Sequence, residues 1–183
     1  LAISTPAAVL AGVAKAARSG VLIKGGAHLE SLALVTAMAL DKTGTITRGR
    51  PEVAEIIPFD GAEPERVLTL AAALESQSTH PLAHAITTAA ESRSLAVPAV
   101  PNLVSVKGKG LVGTVEGREI RVGAARLFTT DERSASKGPA LPAEVATAVH
   151  DLEAGAQTIM VVAEGDRFIG VIALMDRPRP EAA

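Results

Sequence analysis

Residues 35–41, Val-Thr-Ala-Met-Ala-Leu-Asp, lead an uncharged stretch directly into an aspartate, and Lys42-Thr43-Gly44-Thr45 follow it. A short apolar run without polar alternation suits a strand buried on both faces, as in a parallel sheet, although periodicity alone leaves a helix open. Ligands of open α/β sheets gather at the carboxyl ends of the strands, so this run is expected to deliver Asp41 to a reactive edge. A carboxylate placed there can attack a phosphoryl group and form an aspartyl-phosphate, dividing one transfer into two easier steps. The obstacle is electrostatic, because an anion must approach a polyanion. Lys42 adds a cation, Thr43 and Thr45 add hydroxyls, and Gly44 lets backbone N–H groups come close to phosphate oxygens. By itself Asp-Lys-Thr-Gly is also an ordinary turn in which Asp41 bonds nearby amides.

The rest of the chain alternates two textures. Thr5 followed by Pro6 predicts a helix start and Gly20 a stop. The segment is apolar only as far as Lys15, short of the about 20 residues a spanning helix needs, and no basic region precedes it as in a signal peptide. Residues 21–26 read as extended and 27–35 as a short helix. Beyond the Asp41 turn, residues 51–59 read as extended, and 63–77 and 80–93 as helices with a proline near each start. Residues 103–123 are short β-type runs broken by glycines, which predicts an antiparallel meander. A loop is expected at 129–142, a helix at 142–155 with Gly155 as its stop, and two apolar strands around Glu164-Gly165-Asp166. The second strand ends, like the first apolar run, on an acid, Asp176. Parallel-sheet pieces at both ends thus enclose an antiparallel region, the arrangement expected of a domain inserted at about residues 50–155.

Composition removes several functions. The 183 residues allow one domain or two small ones. A net charge of -2 gives no global attraction to nucleic acid or anionic lipid. There is no cysteine, so no disulfide or thiolate metal site forms within the chain. The aromatics are Phe59, Phe128 and Phe168 alone, too few for base-stacking surfaces. The start at Leu1 and the proline-rich end are what a piece of a longer protein would have.

As a unit, residues 41–47, DKTGTIT, resemble the phosphorylation motif of P-type cation-transporting ATPases. Ile46 stands where the family has Leu, and Leu40 where it commonly has Phe, both apolar exchanges. Residues 4–32, STPAAVLAGVAKAARSGVLIKGGAHLESL, resemble the segment joining the metal-bearing membrane helix to the phosphorylation domain in the heavy-metal-transporting subgroup. Residues 74–86, LESQSTHPLAHAI, resemble that subgroup's Glu-x-x-Ser-x-His-Pro signature, with Glu75, Ser78, His80 and Pro81 at the matching positions. Alone, His80 reads as a helix cap or surface histidine; within the signature it is expected at the adenine end of a nucleotide pocket. Gly108 and Gly110 in KGKGLVG match the subgroup's Gly-x-Gly turn, and Gly123 in RVGAARL resembles a later pocket glycine, although each also fits a plain hairpin. Residues 171–182 resemble the family's strand and Asp-x-x-Arg-Pro segment, placing Asp176, Arg179 and Pro180 where the chain would re-enter the phosphorylation domain; hinge and ligand contact both stay open there. His28, His84 and His150 match nothing and are too scattered to argue for a metal site.

The resemblance implies an α/β fold: an incomplete haloacid-dehalogenase-like (Rossmann-type) phosphorylation domain with an inserted α+β nucleotide-binding domain on an antiparallel sheet. Residues 1–20 would end a membrane helix, 21–49 and 156–183 would belong to the phosphorylation domain, and 50–155 would bind the nucleotide. Asp41 would be the phosphorylated nucleophile, aided by Lys42, Thr43 and Thr45. Glu75, Ser78, His80, Gly108, Gly110 and Gly123 would hold ATP. Mg²⁺ would sit at Asp41 and the backbone carbonyl of Thr43. The parent would be a cell-membrane pump for a heavy metal, zinc, cadmium or cobalt rather than copper, with this portion facing the cytoplasm. Its transported-metal ligands, membrane domain and actuator domain would lie outside this chain. Neither TGE nor GDGxNDxP occurs, so the chain alone is expected to bind ATP weakly without turning it over. Two other readings are a soluble haloacid-dehalogenase-like phosphatase, which usually has a second Asp where this chain has Thr43, and a stand-alone nucleotide-binding module.

Overall fold

The computed structural model describes residues 4–128 and 140–182, with the side chains of Lys42 and Thr43 outside that description. The chain divides into two compact units, Leu1–Leu40 and Asp41–Ala183. In the first, Pro6 lies in the first turn of helix α1 (Ser4–Arg18), and Lys15 and Arg18 occupy its last turn, where cations complement the helix dipole. Helix α2 (Gly26–Ala33) approaches α1 so closely that a Cβ on Gly12 would stand 2.8 Å from Leu29. No helix among the described residues is long and apolar enough to cross a membrane.

The strand expected at residues 35–40 does not form. The segment has no regular structure, and Met38 and Leu40 are 68% and 59% exposed. A strand exists only through pairing with a neighbour. Among the described residues every sheet strand belongs to the second unit, and none pairs with this run.

The second unit opens with Asp41, a single π-helical turn (Lys42–Ile46) and strand β1 (Thr47–Pro58). Helices α3 (Pro64–Glu75) and α4 (Pro81–Ser92) follow, each with proline in its first turn, where an N–H has no intrahelical partner to lose. Strands β2 (Leu103–Val106), β3 (Gly110–Val115) and β4 (Arg118–Gly123) form the expected meander, and a 3-10 turn covers Ala125–Phe128. Residues 129–139 of the expected loop lie outside the described residues. Helix α5 (Ala143–Ala154) has Gly155 as its C-cap and leads to strands β5 (Thr158–Glu164) and β6 (Arg167–Pro178).

All six strands join one antiparallel sheet in the order β1-β6-β5-β4-β3-β2. This corrects the expected pairing of the last two strands, which lie at the middle of the antiparallel sheet instead of in a parallel one. Ile159 pairs with Ala173, and Ile172 pairs in turn with Ile56 of β1. The boundaries expected near 50 and 155 therefore fall within a single layer that runs from Thr47 to Pro178. Two-sided burial accounts for the difference. Helices α3 and α4 pack with Met160, Val162, Ile172 and Leu174 on one face. Helix α5 and Phe128 pack with Ile159, Val161, Val171 and Ala173 on the other, where Phe128 meets Phe168 edge to face at 5.1 Å. An antiparallel strand covered by helices on both faces loses its alternation just as a parallel strand does.

Candidate functional site

Helix α3 ends on Glu75, α4 begins at Pro81, and the short link between them is internally bonded. The Ser78 N–H donates to the Glu75 carbonyl at 2.9 Å, and the Ser78 side chain bonds the Glu75 carboxyl. The His80 N–H donates to Ser78 Oγ at 3.3 Å. His80 is extended (φ −69°, ψ 143°), and its Nδ1 accepts the Leu82 N–H at 3.2 Å, capping α4. Using Nδ1 as the acceptor puts the ring proton on Nε2. His80 is thus a helix cap, the role the residue alone suggested, and it also faces a cavity.

That cavity measures about 320 Å³, at the small end of ligand sites. It collects all six residues that the sequence marked for nucleotide: Glu75, Ser78 and His80 from the α3–α4 link, Gly108 and Gly110 from the β2–β3 turn, and Gly123 from the end of β4. The first residues of β5, Thr158 to Met160, complete the lining. Lys109, the middle residue of the Gly-x-Gly turn, and Arg126 also line it, although neither was marked for nucleotide. A larger groove of about 630 Å³ lies between β1 and α4, with Arg50, Glu52, His84 and Thr88 among its walls, and contains none of the expected residues.

The glycines have different reasons to be glycine. Gly110 and Gly123 pair across β3 and β4. A Cβ on Gly123 would come within 2.3 Å of the Lys109 carbonyl oxygen and 2.7 Å of the Gly110 Cα. Their bareness permits strand approach. Gly108 has a φ of +69°, and a Cβ there would meet nothing within 4 Å, so its requirement is the left-handed backbone.

Glu75 is only 5% exposed. Burial pushes its carboxyl above the usual carboxylate range, and the bond from Ser78 partly opposes that rise.

Asp41 is exposed at the start of the second unit, and Thr45 is exposed too. The turn they belong to is tied to the end of β6. The Asp176 carboxylate accepts the Thr47 hydroxyl, the Gly49 N–H at 3.1 Å and the Arg50 N–H at 3.2 Å. The Thr47 Oγ1 in turn accepts the Gly44 N–H at 3.2 Å. Arg179 donates through its backbone N–H to the Ile46 carbonyl at 2.8 Å, and through its guanidinium to the carbonyls of Thr47 and Gly44 at 3.1 and 3.3 Å. Thr47, 2% exposed, carried no sequence signal beyond its place in the motif. Among the described residues no group of three or more His, Cys, Asp or Glu could hold a metal ion.

Comparison with known proteins gives consistent matches. Residues 35–183 match the haloacid dehalogenase-like hydrolase family. The whole chain is 43% identical to a zinc/cadmium/lead-transporting P-type ATPase of Shigella sonnei and spans 23% of that relative's length. Among solved structures, a zinc-transporting PIB-type ATPase in the E2.Pi state matches 99% of the chain over 28% of its own, at 43% identity and a TM-score of 0.77. The N-domain of HMA8, a copper-transporting P-type ATPase, is matched over 99% of its chain by 68% of this one, at 28% identity and a TM-score of 0.53.

Two outcomes follow from the site. Asp176→Ala should cost about 1.5–3 kcal/mol in urea denaturation, and combining it with Thr47→Val should cost less than the sum of the two single variants, because they share the Thr47–Asp176 bond; full additivity would contradict the clamp. The raised Glu75 pKa means that the native state binds more protons than the unfolded state between the two pKa values. Stability from this group is therefore greatest below the ordinary carboxylate pKa and is lost as pH rises through the folded value. Glu75→Gln should be more stable than the parent chain at neutral pH, with the difference vanishing as acid neutralises Glu75; a less stable variant at pH 7 would contradict the burial penalty.

Proposed function

The chain belongs to the haloacid dehalogenase-like hydrolase family, and we propose that it is the nucleotide-binding and phosphorylation portion of a heavy-metal-translocating P-type ATPase. In this reading ATP occupies the cavity formed by the α3–α4 link and the β2–β3 turn. The carrying observation is convergence: six residues from three separate segments, each marked by a motif, line one cavity. We assign residues 47–178 to the nucleotide-binding part and residues 41–46 to the phosphorylation turn.

The proposed reaction is phosphoryl transfer. A carboxylate oxygen of Asp41 attacks the γ-phosphorus, a new P–O bond forms, and the bond to the bridging oxygen breaks with its electron pair leaving on ADP. Lys42 lowers the repulsion of the approach, and the amides of the Gly44 turn receive phosphate oxygens. Asp176 and Arg179 hold that turn at its Thr47 end. The Asp41 carboxylate and the Thr43 carbonyl are hard oxygen donors of the kind Mg²⁺ takes, and Mg²⁺ commonly completes its shell with water and substrate phosphates. When bound, Mg²⁺ would offset phosphate charge.

Transport belongs to the parent protein, of whose relative this chain spans 23%. We propose that the parent is a membrane protein, that this portion faces the cytoplasm, and that the cargo is of the zinc or cadmium type. The 43% identity to a zinc/cadmium/lead transporter supports that choice, as does the long junction at residues 4–32.

Calorimetric titration tests the pocket. ATP should bind the 183-residue chain, and His80→Ala should weaken binding by about two- to tenfold, the worth of one hydrogen bond. His80→Asn keeps a capping side chain and should restore helix stability but not affinity. Unchanged affinity in both variants would overturn the assignment of His80.

A further inference from the structure

Gly108 lies in the cavity wall, at the β2–β3 turn. A Cβ there would touch nothing within 4 Å, and the peptide that follows it is held by hydrogen bonds. On one side the Lys109 N–H donates to the Val106 carbonyl at 2.9 Å, closing the turn. On the other, the Ala124 N–H donates to the Lys109 carbonyl at 2.9 Å. The carbonyl between them, that of Gly108, accepts Arg126 Nε at 2.7 Å. Gly110 is paired with Gly123, and only the absence of a Cβ lets it lie so near the Val122 carbonyl oxygen.

We propose that Arg126 is a positioning residue for nucleotide: it reaches back from the 3-10 turn after β4 and fixes the Gly108 peptide, and with it the shape of the Gly108-Lys109-Gly110 wall. The inference rests on the reading of this cavity as the nucleotide site. Arg126 itself is exposed, so its bond to Gly108 contributes little to global stability. Its effect falls on preorganisation. A wall that must be ordered at the moment of binding costs affinity that a fixed wall does not. The neighbouring residues of the turn, Leu127 and Phe128, are buried, which anchors the base of the arginine while its tip spans to the opposite strand connection.

The test compares Arg126→Met, which removes donor and charge, with Arg126→Gln, which keeps a donor at the position of Nε while removing the charge and the outer guanidinium. For both AMP and ATP, Arg126→Met should weaken binding by about three- to tenfold, with the melting temperature close to that of the parent chain, and Arg126→Gln should recover most of the loss. Equal affinity in Arg126→Met would overturn the proposal. So would a loss confined to ATP and equal in both variants, which would make Arg126 a phosphate ligand, and so would a loss that tracks a fall in melting temperature. The ¹H–¹⁵N spectrum without nucleotide separates this inference from the one beneath it. The Gly108 and Lys109 amide signals should move in Arg126→Met and return toward the parent position in Arg126→Gln. If the parent chain binds no ATP, the nucleotide reading fails while those shifts still report the clamp; if ATP binds and the amides do not move, only the role of Arg126 fails.

Discussion

The antiparallel pairing of β1 with β6 is the constraint on which the second unit depends. It sets Ile56 against Ile172 and Pro51 against Asp176, joining segments that lie on opposite sides of two helices and a meander in the sequence. Because β6 also pairs with β5, the same contact organises the cavity. Thr158 and Met160, which line it, pair with Leu174 and Ile172. Asp176, which holds the Asp41 turn through Thr47, is two residues beyond Leu174, about 7 Å along the strand. One strand therefore supports the cavity at its middle and the Asp41 turn at its end.

Much of this was legible in the sequence, and the exceptions share a cause. The helices at 64–75 and 81–92 were marked by a proline near each start, the helix at 143–154 by Gly155 at its end, and the meander by its glycines. Strand existence was legible for β5 and β6, but direction was not, because uninterrupted apolar runs record burial on two faces and say nothing of pairing. Residues 35–40 carry the same texture without forming a strand. An apolar run states a need for partners; it does not supply them. Thr47–Asp176 and Arg126–Gly108 are contacts between distant or unmarked residues, and no local pattern announces them.

The cavity also shows why size is a poor guide to chemistry. The groove between β1 and α4 is larger, yet its polar residues, such as His84 and Thr88, bond each other along one helix face at 2.9 Å. The smaller cavity combines a buried carboxyl, a histidine whose Nδ1 is committed to capping, a left-handed glycine and two basic residues. Convergent polar groups with a perturbed acid among them are what a binding site requires. Each was placed there for a backbone reason as well: Glu75 ends a helix, His80 starts one, and Gly110 and Gly123 let two strands meet.

Mapping amide shifts in the ¹H–¹⁵N spectrum of the full 183-residue chain during ATP titration tests the central claim most directly. The account predicts that the largest shifts fall in residues 75–82, 106–111, 123–126 and 158–160, around the smaller cavity. Shifts concentrated at Gly49 to Val53 with His84, Thr88 and Ser92 would place the nucleotide in the β1–α4 groove and contradict it.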